Sequence, residues 1–267
     1  MTRCLCAAAV LAVFAIPSSA QSRNQPSARP DSGCDGSYRD RPFHCEIRED
    51  TIPGVNPLDV DASPNGGIRI RGWDRADVLV RTRITAYGES EADARRIAAG
   101  VRVETAGGRI RADGPPAGRG ESWSAGFEIQ VPRTALLTLN THNGGISIDD
   151  FRGTAKFRAL NGGVRLSNVG GDIRGATTNG GVTVDVTSDR WDGAGLDVET
   201  RNGGIRLTLP ANYSAELEAG TTNGGVRIDF PVTVTGNLRR HITTTLGAGG
   251  ARLRAITTNG GVTIRRR

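Results

Sequence analysis

Seven times along the chain an Asn-Gly-Gly is followed by apolar and polar residues in strict alternation. The asparagines are Asn65, Asn143, Asn161, Asn179, Asn202, Asn223 and Asn259. The third residue after each is Ile68, Ile146, Val164, Val182, Ile205, Val226 or Val262, and the fifth is Ile70, Ile148, Leu166, Val184, Leu207, Ile228 or Ile264. Between them stand Arg69, Ser147, Arg165, Thr183, Arg206, Arg227 and Thr263, all polar. Period-two alternation predicts a strand with one buried and one wet face in every unit. Thr141, Thr177, Thr200, Thr221 and Thr257 recur two residues ahead of their asparagines.

The intervals between asparagines are 78, 18, 18, 23, 21 and 36 residues. A recurrence near 20 residues marks an array in which each unit buries its apolar face against its neighbours. Asn tolerates left-handed backbone angles and Gly adopts them without steric cost, so Asn-Gly-Gly reads as a sharp corner. The same dipeptide can close a hairpin, but the segments ahead of the corners, such as Ala176-Thr177-Thr178, read as too short and small to be matching strands. Stacked coils then place Asn over Asn, where the amides can bond up and down the stack. Leu246 to Ala251 and Ala106 to Ile110 look like decayed corners inside the two longest intervals. Counting them, the expectation is an all-β parallel β-helix or solenoid of about ten coils. One short helix is predicted, with Ser90 as N-cap, Asp93 completing a variant capping box, Gly100 closing it, and Ala94, Ile97, Ala98 and Val101 on one small apolar face.

The start of the chain reads differently. Arg3, the apolar Cys4–Ile16 and the small residues Ser18-Ser19-Ala20 form a secretory-signal pattern over residues 1–20. Residues 21–57 read as a flexible leader and a disulfide loop, and residues 58–267 as the solenoid domain. Removing the signal takes Cys4 and Cys6 and leaves Cys34 and Cys45, which in an oxidising compartment most simply form one disulfide. No apolar stretch approaches the ~20 residues a membrane-spanning helix needs. The reading is of an exported protein, in the periplasm or at the surface of a bacterium.

The net charge of +6 is carried almost wholly by arginine, with Lys156 the single lysine. Aromatic residues make up 4% of the chain, too few for a base-stacking surface, so nucleic acid is not the expected partner. Export turns the basic charge toward an acidic polysaccharide, lipid headgroups or an envelope protein. Arg69, Arg165, Arg206 and Arg227 share one outward register and are the first binding candidates. Such a stripe can hold carboxylates or phosphates through charge-assisted bonds, or it can be a solvated face that discourages aggregation. Arg190 and Trp191 lie in residues 187–193, where the interval from Asn179 to Asn202 runs five residues longer than the one before it (23 against 18), and are the second candidates; Trp191 folding back as a plug is the alternative. Asp149-Asp150 resembles the acid pair of a β-helical polysaccharide hydrolase, but no base with an orienting partner accompanies it, and Asp150 reads as a turn residue. No phosphate-binding loop, metal cluster or cofactor motif is present in the sequence. Arg265-Arg266-Arg267 reads as a guard on the open edge of the last coil, arguing for a monomer.

The units Thr-x-Asn-Gly-Gly-(Ile/Val)-x-(Ile/Leu/Val), together with the ending from Leu246 through Val262, resemble the bacterial β-strand-repeat proteins catalogued as putative adhesins, a domain of unknown function. The resemblance spans about Val60 to Arg267. It implies a right-handed parallel β-helix-like fold and a place outside the cytoplasm, and it implies no catalytic residues. The function expected is that of a non-catalytic interaction protein binding along a rigid face. The rival is a β-helical carbohydrate-active enzyme acting on acidic polysaccharide. A left-handed hexapeptide acyltransferase fits less well, because the 18, 23 and 21 residue intervals are not phased in sixes.

Overall fold

Each repeat builds two strands, not one. The computed structural model describes residue 34, residues 41–231 and residues 240–267, all within one compact unit, Gly33–Arg267. The expected signal segment and leader lie outside the described residues. The first block comprises β1 (Phe43–Ile52), β2 (Leu58–Asp61), β3 (Ile68–Trp73), β4 (Val78–Tyr87), α1 (Glu91–Gly100), β5 (Arg102–Glu104), β6 (Arg109–Asp113) and β7 (Ser122–Pro132). The repeats follow, with a longer strand ahead of each asparagine and a shorter one after its glycines. These are β8 (Leu136–Asn143) with β9 (Ile146–Asp149), β10 (Thr154–Asn161) with β11 (Val164–Ser167), and β12 (Asp172–Asn179) with β13 (Val182–Asp185). Next come β14 (Gly195–Asn202) with β15 (Ile205–Leu209), and β16 (Ala215–Asn223) with β17 (Val226–Ile228). After the lone β18 (His241–Leu246), β19 (Arg252–Asn259) and β20 (Val262–Arg266) close the chain. The segments ahead of the asparagines, read from sequence as too short for strands, are thus the longer members of each pair.

The longer strands form one ten-stranded sheet, ordered β18-β16-β19-β14-β12-β10-β8-β2-β6-β5, which we call the pre-corner sheet. The shorter strands of the repeats join the long β1, β4 and β7 in the post-corner sheet, ordered β1-β4-β7-β3-β9-β11-β13-β15-β20-β17. Neighbouring repeats are parallel in both sheets and in register, Val164 beside Ile146 and Val182, Asn161 beside Asn143 and Asn179. The parallel array is therefore as expected, and the result is an all-β, solenoid-like stack of two sheets. Its core lies between them. Ile70, Ile148, Leu166, Val184, Leu207 and Ile264 from the post-corner sheet are fully buried, as are Leu139, Ile173, Val198 and Leu253 from the other.

The stack does not follow chain order. β19 sits between β14 and β16, and β20 between β15 and β17, so the last repeat fills a slot inside the array. Arg265-Arg266-Arg267 consequently does not guard an edge coil: Arg265 and Arg266 pair with Thr208 and Leu209 of β15. Nor are the two glycine-rich segments decayed corners. Gly107 and Gly108 have positive φ (64° and 75°) and turn β5 into its antiparallel partner β6. Gly247 to Gly250 lead from β18, antiparallel to β16, to β19 on the other side of β16, within one sheet. Both segments reverse or cross the chain inside a sheet and do not pass it between sheets.

At the corners the asparagine ladder is complete. Each Nδ2 donates to the Oδ1 of the next asparagine, in the order Asn223, Asn259, Asn202, Asn179, Asn161, Asn143, Asn65, at 2.7–2.9 Å. Left-handed angles, the reason first given for asparagine, are not used: among the described residues the non-glycine positions with positive φ are Asp150 and Asn168. Asparagine is there for its amide. The first glycine of each motif is there for proximity, since a Cβ on Gly144, Gly162, Gly180 or Gly203 would lie 2.0–2.1 Å from the carbonyl oxygen of the glycine in the adjacent coil.

The recurring threonines serve the same corner. Thr141, Thr177, Thr200, Thr221 and Thr257 each donate Oγ1 to a first-glycine carbonyl one coil away, at 2.6–2.8 Å. Ala159 occupies the same register between Thr141 and Thr177 and has no hydroxyl. Ala159→Thr is expected to supply the missing bond, toward Gly144, and to stabilise the fold by about 1 kcal/mol. Urea denaturation checks this as a raised midpoint at unchanged slope.

The predicted helix forms as read. Ser90 caps α1, accepting from the Asp93 backbone N–H at 3.1 Å and donating to its carboxylate at 2.7 Å. Ala94, Ile97 and Ala98, with Val101 at the cap, are buried against β1 and β4. Arg48 of β1 donates to the carbonyls of Ala98 and Val101, satisfying the helix end. Cys34 and Cys45 form the expected disulfide, with a Cα–Cα distance of 5.7 Å.

Candidate binding groove on the post-corner sheet

Register turns the polar residues of the repeats into rows across the outer face of the post-corner sheet. One row reads Arg69, Ser147, Arg165, Thr183, Arg206, Thr263, Arg227. The sequence groups the four arginines; the structure shows that they alternate with hydroxyl residues, one per strand. Strands lie ~4.8 Å apart, so successive arginines recur about every 10 Å. Alternation also spares each guanidinium a like charge on the adjacent strand, where direct opposition destabilises.

These side chains are free to meet a ligand. Arg69, Arg165 and Arg227 are 65%, 64% and 81% exposed; Arg69 makes one long hydrogen bond to Glu128 at 3.4 Å, and the nearest carboxylates of Arg165 and Arg227 are Asp185 at 4.0 Å and Asp229 at 3.9 Å. Exposed pairs of this kind contribute little and part readily. Arg206 is also exposed and has no carboxylate within 4.0 Å among the described residues. The outer face of the pre-corner sheet contrasts with it. There Arg174 bonds Asp172 at 2.8 Å, which raises its pKa above the ordinary guanidinium value. Arg254 bonds both Asp197 and Glu199, and Arg252 bonds Glu218. The arginines named on that face are held closely by carboxylates and those of the arginine row only loosely, although Lys156 and Arg158 of β10 also stand exposed on the pre-corner face with no carboxylate within 4.0 Å among the described residues.

Beside the arginine row runs a row without side chains. It comprises the second glycines of the motifs, among them Gly67, Gly145, Gly163 and Gly181, and continues at one end into Gly126 of β7, with Arg83 of β4 opposite. The two rows bound a groove of about 470 Å³, lined by these five glycines, Arg69, Arg83, Arg165, Glu128, Ser147 and Thr183. Ile68, Ile146, Val164 and Val182 lie beneath it, with their backbone N–H groups spent on the ladder. The groove was not foreseen from sequence. The signal was available, because Gly, Ile and Arg at positions two, three and four of each unit must point out, in and out.

The remaining candidates fall elsewhere. Trp191 is 5% exposed and donates Nε1–H to the Gly171 carbonyl at 2.8 Å, so it is a plug and not a contact residue. The insertion gives it the length to fold back under the corner opposite the asparagine ladder. Arg190, next to it, is exposed, bridges to Ser214, and does not line the groove. Trp191→Ala is expected to cost about 3–5 kcal/mol through the cavity it leaves. Thermal unfolding reads that loss, and any polyanion affinity should persist below the lowered midpoint. Asp150, at φ 56°, is a turn residue whose Oδ1 accepts from Asn168 Nδ2 at 2.7 Å, while Asp149 accepts from Ser147 at 3.0 Å. Both carboxylates are engaged in holding the corner. Among the described residues there is no group of three or more metal-ligating side chains and no helix long and apolar enough to cross a membrane.

Two sheets of in-register parallel repeats, an asparagine ladder and a decorated flat face define a β-solenoid-like repeat protein. More narrowly, the chain belongs to the Toastrack DUF4097 family, whose model matches residues 121–265, more than half of its length. Solved structures are similar at low identity. A putative cell adhesion protein from Clostridium sporogenes is 12% identical, over 84% of this chain and 100% of that one, with a TM-score of 0.41. A putative lipid binding protein from Parabacteroides distasonis is 10% identical, over 82% and 96%, with a TM-score of 0.38. A putative adhesin from Bacteroides fragilis is 12% identical, over 83% and 97%, with a TM-score of 0.31. No curated protein matches the chain.

Proposed function

We propose that this is an exported, non-catalytic interaction protein that binds an acidic partner along the post-corner sheet. The observation that carries the reading is the row of four exposed arginines, alternating with hydroxyls, on a face whose carboxylates leave them largely uncommitted. Guanidinium groups on a rigid sheet meet carboxylates or phosphates bidentately and lose little freedom in doing so. Each contact is weak alone, and a polymeric partner engages several at once, so avidity supplies the affinity. The secretory-signal pattern of residues 1–20 supports a partner in the bacterial envelope or beyond it, and the reading calls for no cofactor.

The test replaces Arg165, Arg206 and Arg227 with serine. Loss of retention on a polyanion column at low salt is the expected result, with the parent eluting progressively earlier as ionic strength rises. Equal retention of parent and variant would remove the arginine row from the function.

A further inference from the structure

The second glycine of each motif is not required by the fold in the way the first is. A Cβ on Gly67, Gly145, Gly163, Gly181 or Gly204 would approach the neighbouring glycine carbonyl at 3.0–3.4 Å, a displacement of a few tenths of an ångström, and on Gly225 it would meet nothing within 4 Å. None of these residues has a positive φ in the left-handed range. Gly126 lies on a strand outside the repeats and still continues the row, where a Cβ would come no nearer than 3.7 Å to any neighbour. Glycine inside a strand weakens it and marks a place where another molecule comes close to the backbone. Here it leaves a bare strip several strands long, beside side chains that alternate cation and hydroxyl.

We infer that the groove binds a linear acidic polysaccharide with one carboxylate on every second sugar, lying along the stack axis across the strands. This rests on reading the arginine row as a binding face, and it adds the occupant. The floor carries no side chains, and the N–H groups of Ile68, Ile146, Val164 and Val182 are already bonded to glycine carbonyls of the adjacent coil, which suits the face of a pyranose ring. Arg69 and Arg165 recur at two strand spacings, about 10 Å, comparable to the length of one disaccharide. Ser147 and Thr183 fall between and beyond them, where the neutral sugar presents its hydroxyls. At the end of the groove Gly126 continues the bare strip, Arg83 stands opposite it in the same register, and Glu128 follows Arg69 in the arginine row and ends the alternation. The chain of carboxylates and the chain of guanidinium groups thus share a period.

Calorimetric titration of the full chain with a hyaluronate oligosaccharide, which carries one carboxylate per disaccharide, tests this. Polygalacturonate, polyglutamate and anionic phospholipid vesicles are the comparators. The expected result is saturable binding of hyaluronate, tighter than of any comparator, weakened about tenfold or more in Gly126→Thr/Gly163→Thr, which retains every arginine. Gly126→Thr alone, at a position where a Cβ meets nothing nearer than 3.7 Å, gives a weakened binder if the double variant does not fold. If these glycine variants bind as the parent does while the triple arginine variant does not bind, the groove is overturned and the arginine reading stands. If the triple arginine variant binds normally, both fall. Equal or tighter binding of polygalacturonate overturns the alternation, and of polyglutamate or vesicles overturns the polysaccharide as occupant.

Discussion

A chain ended at Gly250 is expected to show no cooperative unfolding transition. If the repeats stacked in chain order, removing residues 251–267 would trim one end and leave the rest standing, as in an ordinary repeat array. Here the removed coil lies inside the stack, between β14/β15 on one side and β16/β17 on the other. Leu253, Val262 and Ile264 are fully buried, and losing three such side chains withdraws roughly 5–9 kcal/mol. That alone approaches the 5–15 kcal/mol typical of a whole domain. The deletion also strips partners from two coils at once: Asn202 and Asn223 lose the amide between them, and β16 keeps only antiparallel β18. Circular dichroism on heating is the measurement. A cooperative melt within a few degrees of the parent would show that the C-terminal coil is peripheral after all.

What the sequence made legible and what it hid have physical causes. Alternation after each Asn-Gly-Gly identified the post-corner strands, because one aliphatic face buried and one polar face wet is a local property. The pre-corner strands were missed where their inward residues are small: Ala155 and Ala159 on β10, Ala219 on β16 and Gly175 on β12, whose missing side chain makes room for the Phe157 ring. Small residues there accommodate bulk from the adjacent strand, and no local period announces it. Stack order was hidden for a different reason. The Asn259 unit is as good a neighbour for Asn202 as the Asn223 unit is, so identical edges leave the order to the connections, here the antiparallel β18. Of the candidate site, the arginine register and its alternation with Ser147 and Thr183 were readable in chain order, and the place of Thr263 between Arg206 and Arg227 was not, since that depends on the stack order. Trp191 looked like a contact residue because an insertion with Trp and Arg suggests a recognition loop; its burial follows from what lies beneath the loop.

Gly162→Ala and Gly163→Ala, one residue apart, are expected to differ in stability by about 4 kcal/mol. At Gly162 a methyl group would lie 2.0 Å from the Gly144 carbonyl oxygen and 2.4 Å from its carbon. Both atoms belong to backbone in an in-register ladder that extends to Asn65 on one side and Asn223 on the other. Relief requires the two coils to part, which costs hydrogen bonds and packing together. At Gly163 the nearest atom is the Gly181 carbonyl oxygen at 3.4 Å. The methyl group faces the groove, and the loss of unfolded-state freedom offsets the small shift, so the net change stays within about 1 kcal/mol. Denaturant melts of the two variants against the parent measure the contrast. Equal, small effects would mean that the corners are looser than the carbonyl contacts imply. The expected asymmetry separates two uses of one residue type: the first glycine lets coils approach, and the second keeps the face above the backbone open for whatever the arginines hold.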